Sequence, residues 1–255
     1  MLLVIDIGNT NITLGVFEKD ERKMTARIST QTDKTGDQYA VELISILNIH
    51  KIDIKDLSGC IVSSVVPSIS NSLKKACRLI GIKAPMFVGP GVKTGLDIKI
   101  DNPAQLGADL VVGAVAAIEK YPLPCIILDL GTATTLSVID KNGAFLGGTI
   151  SAGIGISLEA LNLRTSQLPG ISVETPKSVI GKNSIESMQS GLVIGAACMI
   201  DGLIERIESE LGQSASIVAT GGLAPEVIKN CKREIVINDD LLLDGLKAIY
   251  EKNKK

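Results

Sequence analysis

A short pattern occurs twice in this chain: an apolar strand, an aspartate, an apolar residue, a glycine and then small polar residues. The first copy is Val4-Ile-Asp-Ile-Gly-Asn-Thr-Asn11 and the second is Ile127-Leu-Asp-Leu-Gly-Thr-Ala-Thr134. Each apolar run predicts a buried strand, and each glycine with its polar neighbours predicts a tight turn into the next strand. An internal repeat of this kind indicates duplicated domains, for which a chain of 255 residues is long enough.

The boundary between the two predicted domains lies where a proline-rich segment separates a helix from a strand. A helix is expected to begin at Asn102-Pro103 and to run to about Lys120, where Tyr121-Pro-Leu-Pro124 ends it before an apolar strand. Strands and helices alternate in both halves, and a long helical region is expected over 184–211. We therefore predict an α/β fold with domains 1–121 and 122–255, whose two similar sheets face each other across a cleft.

Composition and charge argue against several classes of function. The formal charge of −2 and the six Tyr and Phe residues, without any Trp, lack the basic and aromatic surface of a nucleic-acid binder. The five cysteines never form a Cys-x-x-Cys pair, which favours reduced thiols in a cytoplasmic protein over a metal site or a disulfide framework. The longest apolar stretch, around Gly191 to Ile204, contains Asp201 and is expected to be too short to span a membrane.

The repeated turn has a clear chemical use. Glycine lets the backbone approach a phosphate, the turn amides donate to its oxygens, and the aspartate can hold magnesium or its water shell. A single copy, Asp6-Ile-Gly-Asn-Thr10, is more typical of an ordinary hairpin turn. Two copies favour a pair of turns that hold the phosphates of one nucleotide.

A third segment, Ala219-Thr-Gly-Gly-Leu-Ala-Pro225, combines a strand end, two glycines and a helix start. Gly221 and Gly222 permit a flat group such as adenine or ribose to lie against the backbone. An ordinary strand-to-helix turn explains the segment equally well when it is taken alone. The chain has no Walker Gly-x-x-x-x-Gly-Lys-(Ser/Thr) loop, so ATP binding would have to use the repeated turns.

A candidate catalytic base lies in the predicted helix that follows Asn102. Its apolar stripe is formed by Leu106, Leu110, Ala114 and Ala117, with Asp109 at the edge. A partly desolvated carboxylate there could accept a proton from a hydroxyl that attacks the γ-phosphate of ATP. From periodicity alone, however, an ordinary surface aspartate is the simpler interpretation.

Six segments together resemble type III pantothenate kinases of the actin/hexokinase/Hsp70-like superfamily, nearly from end to end and in the same order. They are Asp6-Ile-Gly-Asn-Thr10, Asn102-Pro-Ala-Gln-Leu-Gly-Ala-Asp109, Asp129-Leu-Gly-Thr-Ala133, Gly147-Gly-Thr-Ile-Ser-Ala-Gly153, Ile180-Gly-Lys-Asn-Ser-Ile-Glu-Ser-Met-Gln-Ser-Gly191 and Thr220-Gly-Gly222. The resemblance implies two ribonuclease H-like domains with a nucleotide cleft between them. It also implies ATP-dependent phosphorylation of pantothenate to 4′-phosphopantothenate, the first step of coenzyme A biosynthesis, in the cytoplasm.

The resemblance also implies roles for single residues. ATP with Mg²⁺ would bind at Asp6, Ile7, Gly8, Asn9, Thr10, Asn11, Ile12, Thr13, Thr132, Gly221 and Gly222, with the magnesium held by Asp6 through the ATP. Asp129 would hold a monovalent cation, K⁺ or NH₄⁺, and Asp109 would be the catalytic base. Pantothenate would lie at Ile100, Gly107, Ala108, Asp109, Leu110 and Ser184. Family members are homodimers with sites completed across the interface, and the helical region from Ser184 is the expected dimer surface.

Two positions depart from the family pattern. Leu110 stands where an arginine normally follows the aspartate, and Ile100 stands where a tyrosine is common. Losing a charge-assisted donor to the pantothenate carboxylate would cost about 1.5–3 kcal/mol, which the helix-terminal amides of Gly107 and Ala108 could partly offset. Two alternatives therefore stay open: a kinase that acts on a less anionic alcohol, and a non-catalytic regulator that binds ATP.

Overall fold

The computed structural model describes residues 1–254, which form two compact units. The first unit contains Met1–Leu96, Asn102–Ala116 and the segment that starts at Asp240. The second contains Asp97–Asp101 and Ala117–Asp239.

Strands and helices alternate through most of the described chain. The strands are β1 (Leu2–Ile7), β2 (Asn11–Glu18), β3 (Glu21–Ser29), β4 (Gly59–Ser64), β5 (Met86–Phe87), β6 (Asp97–Ile98), β7 (Cys125–Leu130), β8 (Ala133–Ile139), β9 (Ala144–Ala152), β10 (Ser216–Thr220) and β11 (Val236–Ile237). The α-helices are α1 (Gly36–Ile49), α2 (Pro67–Leu79), α3 (Ala108–Lys120), α4 (Ile154–Arg164), α5 (Ser184–Gln189), α6 (Gly195–Leu211), α7 (Ala224–Ile228) and α8 (Leu241–Asn253).

The sheet of the first unit has the strand order β3-β2-β1-β4-β5. β1 pairs antiparallel with β2 and parallel with β4, and β3 continues the antiparallel side. Successive residues of a strand face opposite sides of a sheet, so β1 is buried on both faces. One face packs α1 and α2 over residues such as Ile5 and Leu43. The other face packs α3 and α8 over residues such as Val4 and Val112.

The sheet of the second unit repeats this arrangement. Its order is β11-β10-β7-β8-β9-β6, with β7 antiparallel to β8 and parallel to β10, as β1 is to β2 and β4. Among the strands of residues 1–254, only the edge strand β6, which pairs parallel with β9, has no counterpart in the first sheet. The repeated Asp-x-Gly pattern therefore predicted the α/β architecture with two similar sheets correctly.

The C-terminal helix packs in the first unit. The predicted domain ranges, 1–121 and 122–255, assign α8 to the second domain, whereas its Leu243, Leu246 and Ile249 are buried with Val4 of β1. The apolar spacing of α8 predicts a helix that buries one face. That spacing contains no information about which of the two sheets covers the face.

One continuous helical region, Ser184–Leu211, consists of α5, a π-helical turn at Ser190–Ile194 and α6. The expected length is confirmed, but the region of 28 residues is long and apolar enough to cross a membrane by length and composition. The stretch around Gly191 to Ile204 was expected to be too short to span a membrane. That prediction is corrected as far as length is concerned, because the helix extends beyond the stretch at both ends. Leu192, Ala197, Ile200 and Ile204 of this region are buried in the core of the second unit.

Candidate active site

The first repeated turn joins β1 to β2. Gly8 donates its backbone N–H to the carbonyl of Asn11 at 2.9 Å, and a Cβ on Gly8 would lie 3.2 Å from that oxygen. The three following residues, Asn9, Thr10 and Asn11, are exposed. The turn is therefore closed by its own backbone at the strand end, and its tip is exposed to solvent.

A row of polar side chains crosses the first sheet beside this turn. Asp6 lies opposite Thr13 on β2 and Ser63 on β4, and Thr13 lies opposite Arg27 on β3. Residues that are directly opposite one another share a face of the sheet. Ser63 is fully buried, and its Oγ has no hydrogen-bond partner within residues 1–254. Sequence reasoning missed Ser63 and Arg27, because strand register is not visible in the chain before the strands are paired.

The second repeated turn joins β7 to β8 and repeats this pairing. Gly131 donates its N–H to the carbonyl of Ala133 at 3.1 Å. Asp129 lies opposite Thr135 on β8 and Thr220 on β10, as Asp6 lies opposite Thr13 and Ser63. Each repeated aspartate thus has a hydroxyl residue opposite it on both neighbouring strands.

The glycine pair after β10 lies against the second turn. Gly221 has φ +103°, and a Cβ there would meet the backbone of Leu130 at 2.6 Å. Leu130 immediately precedes the turn that contains Thr132, so the structure brings Gly221 next to this turn. Gly222 is exposed beside it. The predicted nucleotide residues of the second unit are therefore gathered in one place.

The predicted helix from Asn102 is interrupted, and this changes the position of the candidate base. Pro103–Gln105 forms a 3-10 turn, Leu106 is extended with ψ 125°, and α3 begins only at Ala108. The prediction of one continuous helix with Leu106 in its apolar stripe was wrong. Gly107 is a poor helix former and allows the break. Asp109 consequently lies in the first turn of α3.

The first turn of a helix stabilises a carboxylate, because its backbone N–H groups lack helical partners and carry partial positive charge. Oδ1 of Asp109 accepts the backbone N–H of Leu110 at 2.8 Å. Burial raises the pKa of Asp109, and the backbone hydrogen bond with Leu110 opposes this rise. Desolvation is the larger effect, so the Asp109 carboxylate is more basic than that of an exposed aspartate.

Asp6 and Asp109 belong to the same side of the first sheet. Val112 lies one helical turn after Asp109 and therefore shares its face of α3. Val112 packs in the cluster that contains Val4, and Asp6 lies two residues after Val4 on the same face of β1. The structure thus positions both carboxylates on elements that share one core.

The remaining predicted substrate residues lie in both units. Gly107, Ala108 and Leu110 surround the start of α3 in the first unit. Ile100 belongs to the second unit, where its Cγ2 would be 3.7 Å from a Cβ on Gly147. Ser184 is the first residue of α5 in that unit, directly after the N-cap residue Asn183.

The order of these segments agrees with a known family over most of the chain. The family model described as type III pantothenate kinase matches residues 2–206. The chain belongs to the type III pantothenate kinase family. The predicted resemblance is therefore confirmed, and the chain is a pantothenate kinase that uses ATP with Mg²⁺.

The alignments with two similar proteins extend over almost the full length of the kinase. The type III pantothenate kinase of Koribacter versatilis (strain Ellin345) is 43% identical over 264 residues, which cover 100% of this chain and 96% of that protein. The type III pantothenate kinase of Halalkalibacterium halodurans is 44% identical over 253 residues, which cover 99% and 100%.

A solved structure supports the fold. The activator of the 2-hydroxyisocaproyl-CoA dehydratase from Clostridium difficile, determined with bound ADPNP, superposes with a TM-score of 0.59 at 16% identity. The alignment covers 100% of the kinase and 98% of that chain. At this identity the likeness concerns the fold alone, which is the actin/hexokinase-like fold that the sequence predicted.

Proposed function

We propose that the kinase transfers the γ-phosphoryl group of ATP to the hydroxyl of pantothenate with Asp109 as general base. In this step the hydroxyl oxygen attacks the γ-phosphorus, the bond from that phosphorus to the bridging oxygen breaks, and ADP leaves. The hydroxyl proton passes to the Asp109 carboxylate. The product is 4′-phosphopantothenate, and its formation is the first step of coenzyme A biosynthesis.

The position and basicity of Asp109 carry this proposal. A base must be ionised before the reaction and must still attract a proton when the hydroxyl attacks. Burial raises the pKa of Asp109, and the N–H of Leu110 holds one carboxylate oxygen in a fixed direction. An exposed aspartate in the same helical turn could keep the hydrogen bond but would lack the raised pKa, so the burial of Asp109 favours the catalytic interpretation over the simpler one.

The first turn is proposed to hold the phosphates of ATP through Asp6, Ile7, Gly8, Asn9, Thr10, Asn11, Ile12 and Thr13. Magnesium binds few protein carboxylates when phosphates supply other ligands. Within residues 1–254 no group of three or more His, Cys, Asp or Glu residues could form a metal site. The single carboxylate of Asp6 at the strand end fits a magnesium ion that arrives with ATP. Bound there, the ion would neutralise charge on the phosphates.

In the second unit, Thr132, Gly221 and Gly222 are proposed to contact the nucleotide, and Asp129 to hold K⁺ or NH₄⁺. Thr135 lies opposite Asp129, and its Oγ1 is buried without a hydrogen-bond partner in the described chain. Such an oxygen beside a carboxylate suits a monovalent cation. The cation would supply positive charge near the nucleotide.

Pantothenate is proposed to contact Ile100, Gly107, Ala108, Leu110 and Ser184. The N–H groups at the start of α3 suit the pantothenate carboxylate, because they form part of a helix N-terminus. Ser184 keeps a hydroxyl for a polar contact.

We also propose that the kinase is a cytoplasmic homodimer with sites completed across the interface. All five cysteines are free thiols, as the cytoplasm favours. Several large exposed apolar side chains precede the helical region from Ser184 in the sequence or lie at its start, and a dimer interface would cover such side chains. They include Ile150, Ile156, Leu163, Val179, Ile180 and Ile185. Light scattering after gel filtration tests this: a monomer at micromolar concentration would contradict the dimer.

A coupled ADP-release assay with pantothenate, with and without K⁺, tests the activity. Phosphopantothenate should form, K⁺ should stimulate the rate, and Asp109→Asn should remove the activity. ADP release with a neutral alcohol but not with pantothenate would favour the alternative substrate. ATP binding by calorimetry without turnover of any alcohol would favour a regulator.

A further inference from the structure

The residue that follows β3 makes two hydrogen bonds to the first repeated turn. Thr30 donates its backbone N–H to the carbonyl of Thr10 at 2.9 Å. It donates its side-chain hydroxyl to the carbonyl of Gly8 at 2.7 Å. One residue just beyond β3 thus holds two of the carbonyl groups of this short turn.

These two bonds determine where the amide groups of the turn point. In a planar trans peptide unit the C=O and the N–H of the next residue point in opposite directions. Because the carbonyls of Gly8 and Thr10 face Thr30, the N–H groups of Asn9 and Asn11 face away from it. Both asparagines are exposed. Backbone N–H groups of one turn that point away from the same neighbour can donate together to an anion such as phosphate.

The hydroxyl bond is the sequence-specific part of this arrangement. Any residue other than proline at position 30 could donate the backbone N–H, but the bond to the Gly8 carbonyl needs a side-chain donor, which here is the Thr30 hydroxyl. Glycine has the widest backbone freedom of all residues, so the peptide between Gly8 and Asn9 can rotate unless something holds its carbonyl. The Thr30 hydroxyl prevents that rotation.

Thr30 is itself held in place from α1. The next residue, Gln31, accepts a hydrogen bond from the hydroxyl of Tyr39 at 2.7 Å, and Tyr39 is fully buried. The segment after β3 is therefore anchored in the core of the first unit. A fixed donor can preorganise the turn before ATP arrives, which reduces the ordering cost of binding.

We propose that Thr30 is a positioning residue for ATP, whose hydroxyl orients the amides of the first turn toward the phosphates. This inference rests on the proposed role of that turn in holding ATP. Thr30 acts through Gly8 and Asn9 and does not itself touch the nucleotide.

The test compares Thr30→Val, which keeps the shape and removes the hydroxyl, with Thr30→Ser, which keeps the hydroxyl. A matched control is Thr165→Val, because Thr165 also donates its hydroxyl to a backbone carbonyl, that of Leu161 at 2.8 Å, at the end of α4. For each protein we would measure the Kd for MgATP by calorimetry, the KM values for ATP and pantothenate, and the melting temperature.

Thr30→Val should raise the Kd and KM for ATP about three- to tenfold, the effect of one lost hydrogen bond. The KM for pantothenate should change little, Thr30→Ser should restore most of the ATP affinity, and Thr165→Val should resemble the parent protein. Thr30→Ala provides a second hydroxyl-free variant if Thr30→Val does not fold.

Unchanged ATP affinity in both hydroxyl-free variants would overturn the inference, as would equal losses for ATP and pantothenate accompanied by a lower melting temperature. The proposed function fails in a different way. If the parent protein itself does not bind MgATP, the nucleotide role of the turn is wrong whatever the variants do.

Discussion

The Asp109 carboxylate accepts the backbone N–H of Leu110 at 2.8 Å in the first turn of α3. Two opposing effects meet at this contact. Burial disfavours the charged carboxylate and raises its pKa, whereas the helix N-terminus and the Leu110 N–H favour the charge. Because burial is the stronger effect, the folded protein favours the protonated form of Asp109 more than the unfolded chain does.

The first prediction follows from this conflict: Asp109→Asn should make the kinase inactive and more stable. Loss of a general base typically lowers the rate about 10²- to 10⁴-fold. The folded pKa lies above the unfolded one, so ionisation at neutral pH destabilises the fold. Asparagine removes that charge, and its Oδ1 can still accept the Leu110 N–H. The assay should therefore show lost turnover together with a higher melting temperature at pH 7.

The matched control is Glu119→Gln, which neutralises an exposed carboxylate on the same helix. It should leave turnover close to that of the parent protein. A lower melting temperature for Asp109→Asn would show that the carboxylate stabilises α3, contrary to the argument from burial.

The second prediction concerns pH. Asp109 must be ionised to accept a proton, so kcat/KM for pantothenate should fall on the acid side as Asp109 becomes protonated. Because its pKa is raised, this fall should occur at higher pH than the usual aspartate value of about 3.9. The stability difference between the parent and Asp109→Asn should grow with rising pH over the same interval. A rate that stays constant down to pH 4 in folded protein would contradict the assignment.

The sequence predicted features that depend on local pattern. The repeated Asp-x-Gly segments gave the two similar sheets, and Asp109 was found as a candidate base. The sequence did not reveal the break at Gly107, which moves Asp109 into the first turn of α3. Helical spacing alone continues through one glycine, and a tertiary structure is needed to show that the chain changes direction there.

Residues that act across strands were not predictable in this way. Thr30 lies beside the first turn because β3 pairs with β2 in a particular register. The registers of β4 and β8 likewise place Ser63 opposite Asp6 and Thr135 opposite Asp129. Each is an ordinary hydroxyl residue in the sequence. The duplication offers a signal for such cases. When the two repeats are aligned on Asp6 and Asp129, Ser63 and Thr220 occupy equivalent positions on the neighbouring parallel strands.

The third prediction tests the departure at Leu110. Leu110→Arg should lower the KM for pantothenate about tenfold or more, because a guanidinium can form charge-assisted hydrogen bonds with the carboxylate of the substrate. Leu110→Met is the control for size without charge and should change KM little. Steady-state kinetics at saturating ATP measure both. An unchanged KM in Leu110→Arg would show that the pantothenate carboxylate does not lie at this position.

The fourth prediction concerns the segment before α5. Glu226 on α7 forms an ion pair with Lys229 at 2.7 Å and accepts the backbone N–H of Thr175. The hydrogen bond from Lys229 and then the contact with Thr175 lower the pKa of Glu226 to about 2. The folded pKa is below the unfolded value, so Glu226 contributes stability above about pH 4.5 that is lost as the pH falls toward 2.

Glu226→Gln should therefore lower the melting temperature by a few degrees at pH 7, and the difference from the parent should shrink as the pH approaches 3. The control is Glu210→Gln, which removes an exposed carboxylate from α6. Limited proteolysis between Thr165 and Asn183 should also be faster in Glu226→Gln. A melting difference that is the same at pH 7 and pH 3 would show that the carboxylate charge is not what holds this segment.

The last prediction uses the close approach of Gly221 to the second turn. Gly221→Ala would place a side chain on a residue with φ +103°, where its Cβ would meet the Leu130 backbone at 2.6 Å. Strain at positive φ and forced movement of a buried strand each cost about 1–3 kcal/mol.

Gly155→Ala on α4 is the control, because its Cβ would meet nothing within 4 Å. Chemical denaturation should show a large loss of stability for Gly221→Ala and little change for Gly155→Ala. Since Leu130 precedes Thr132, the displaced turn should also bind MgATP more weakly. A stable Gly221→Ala protein with unchanged ATP affinity would mean that β10 and the second turn need not touch for the nucleotide to bind.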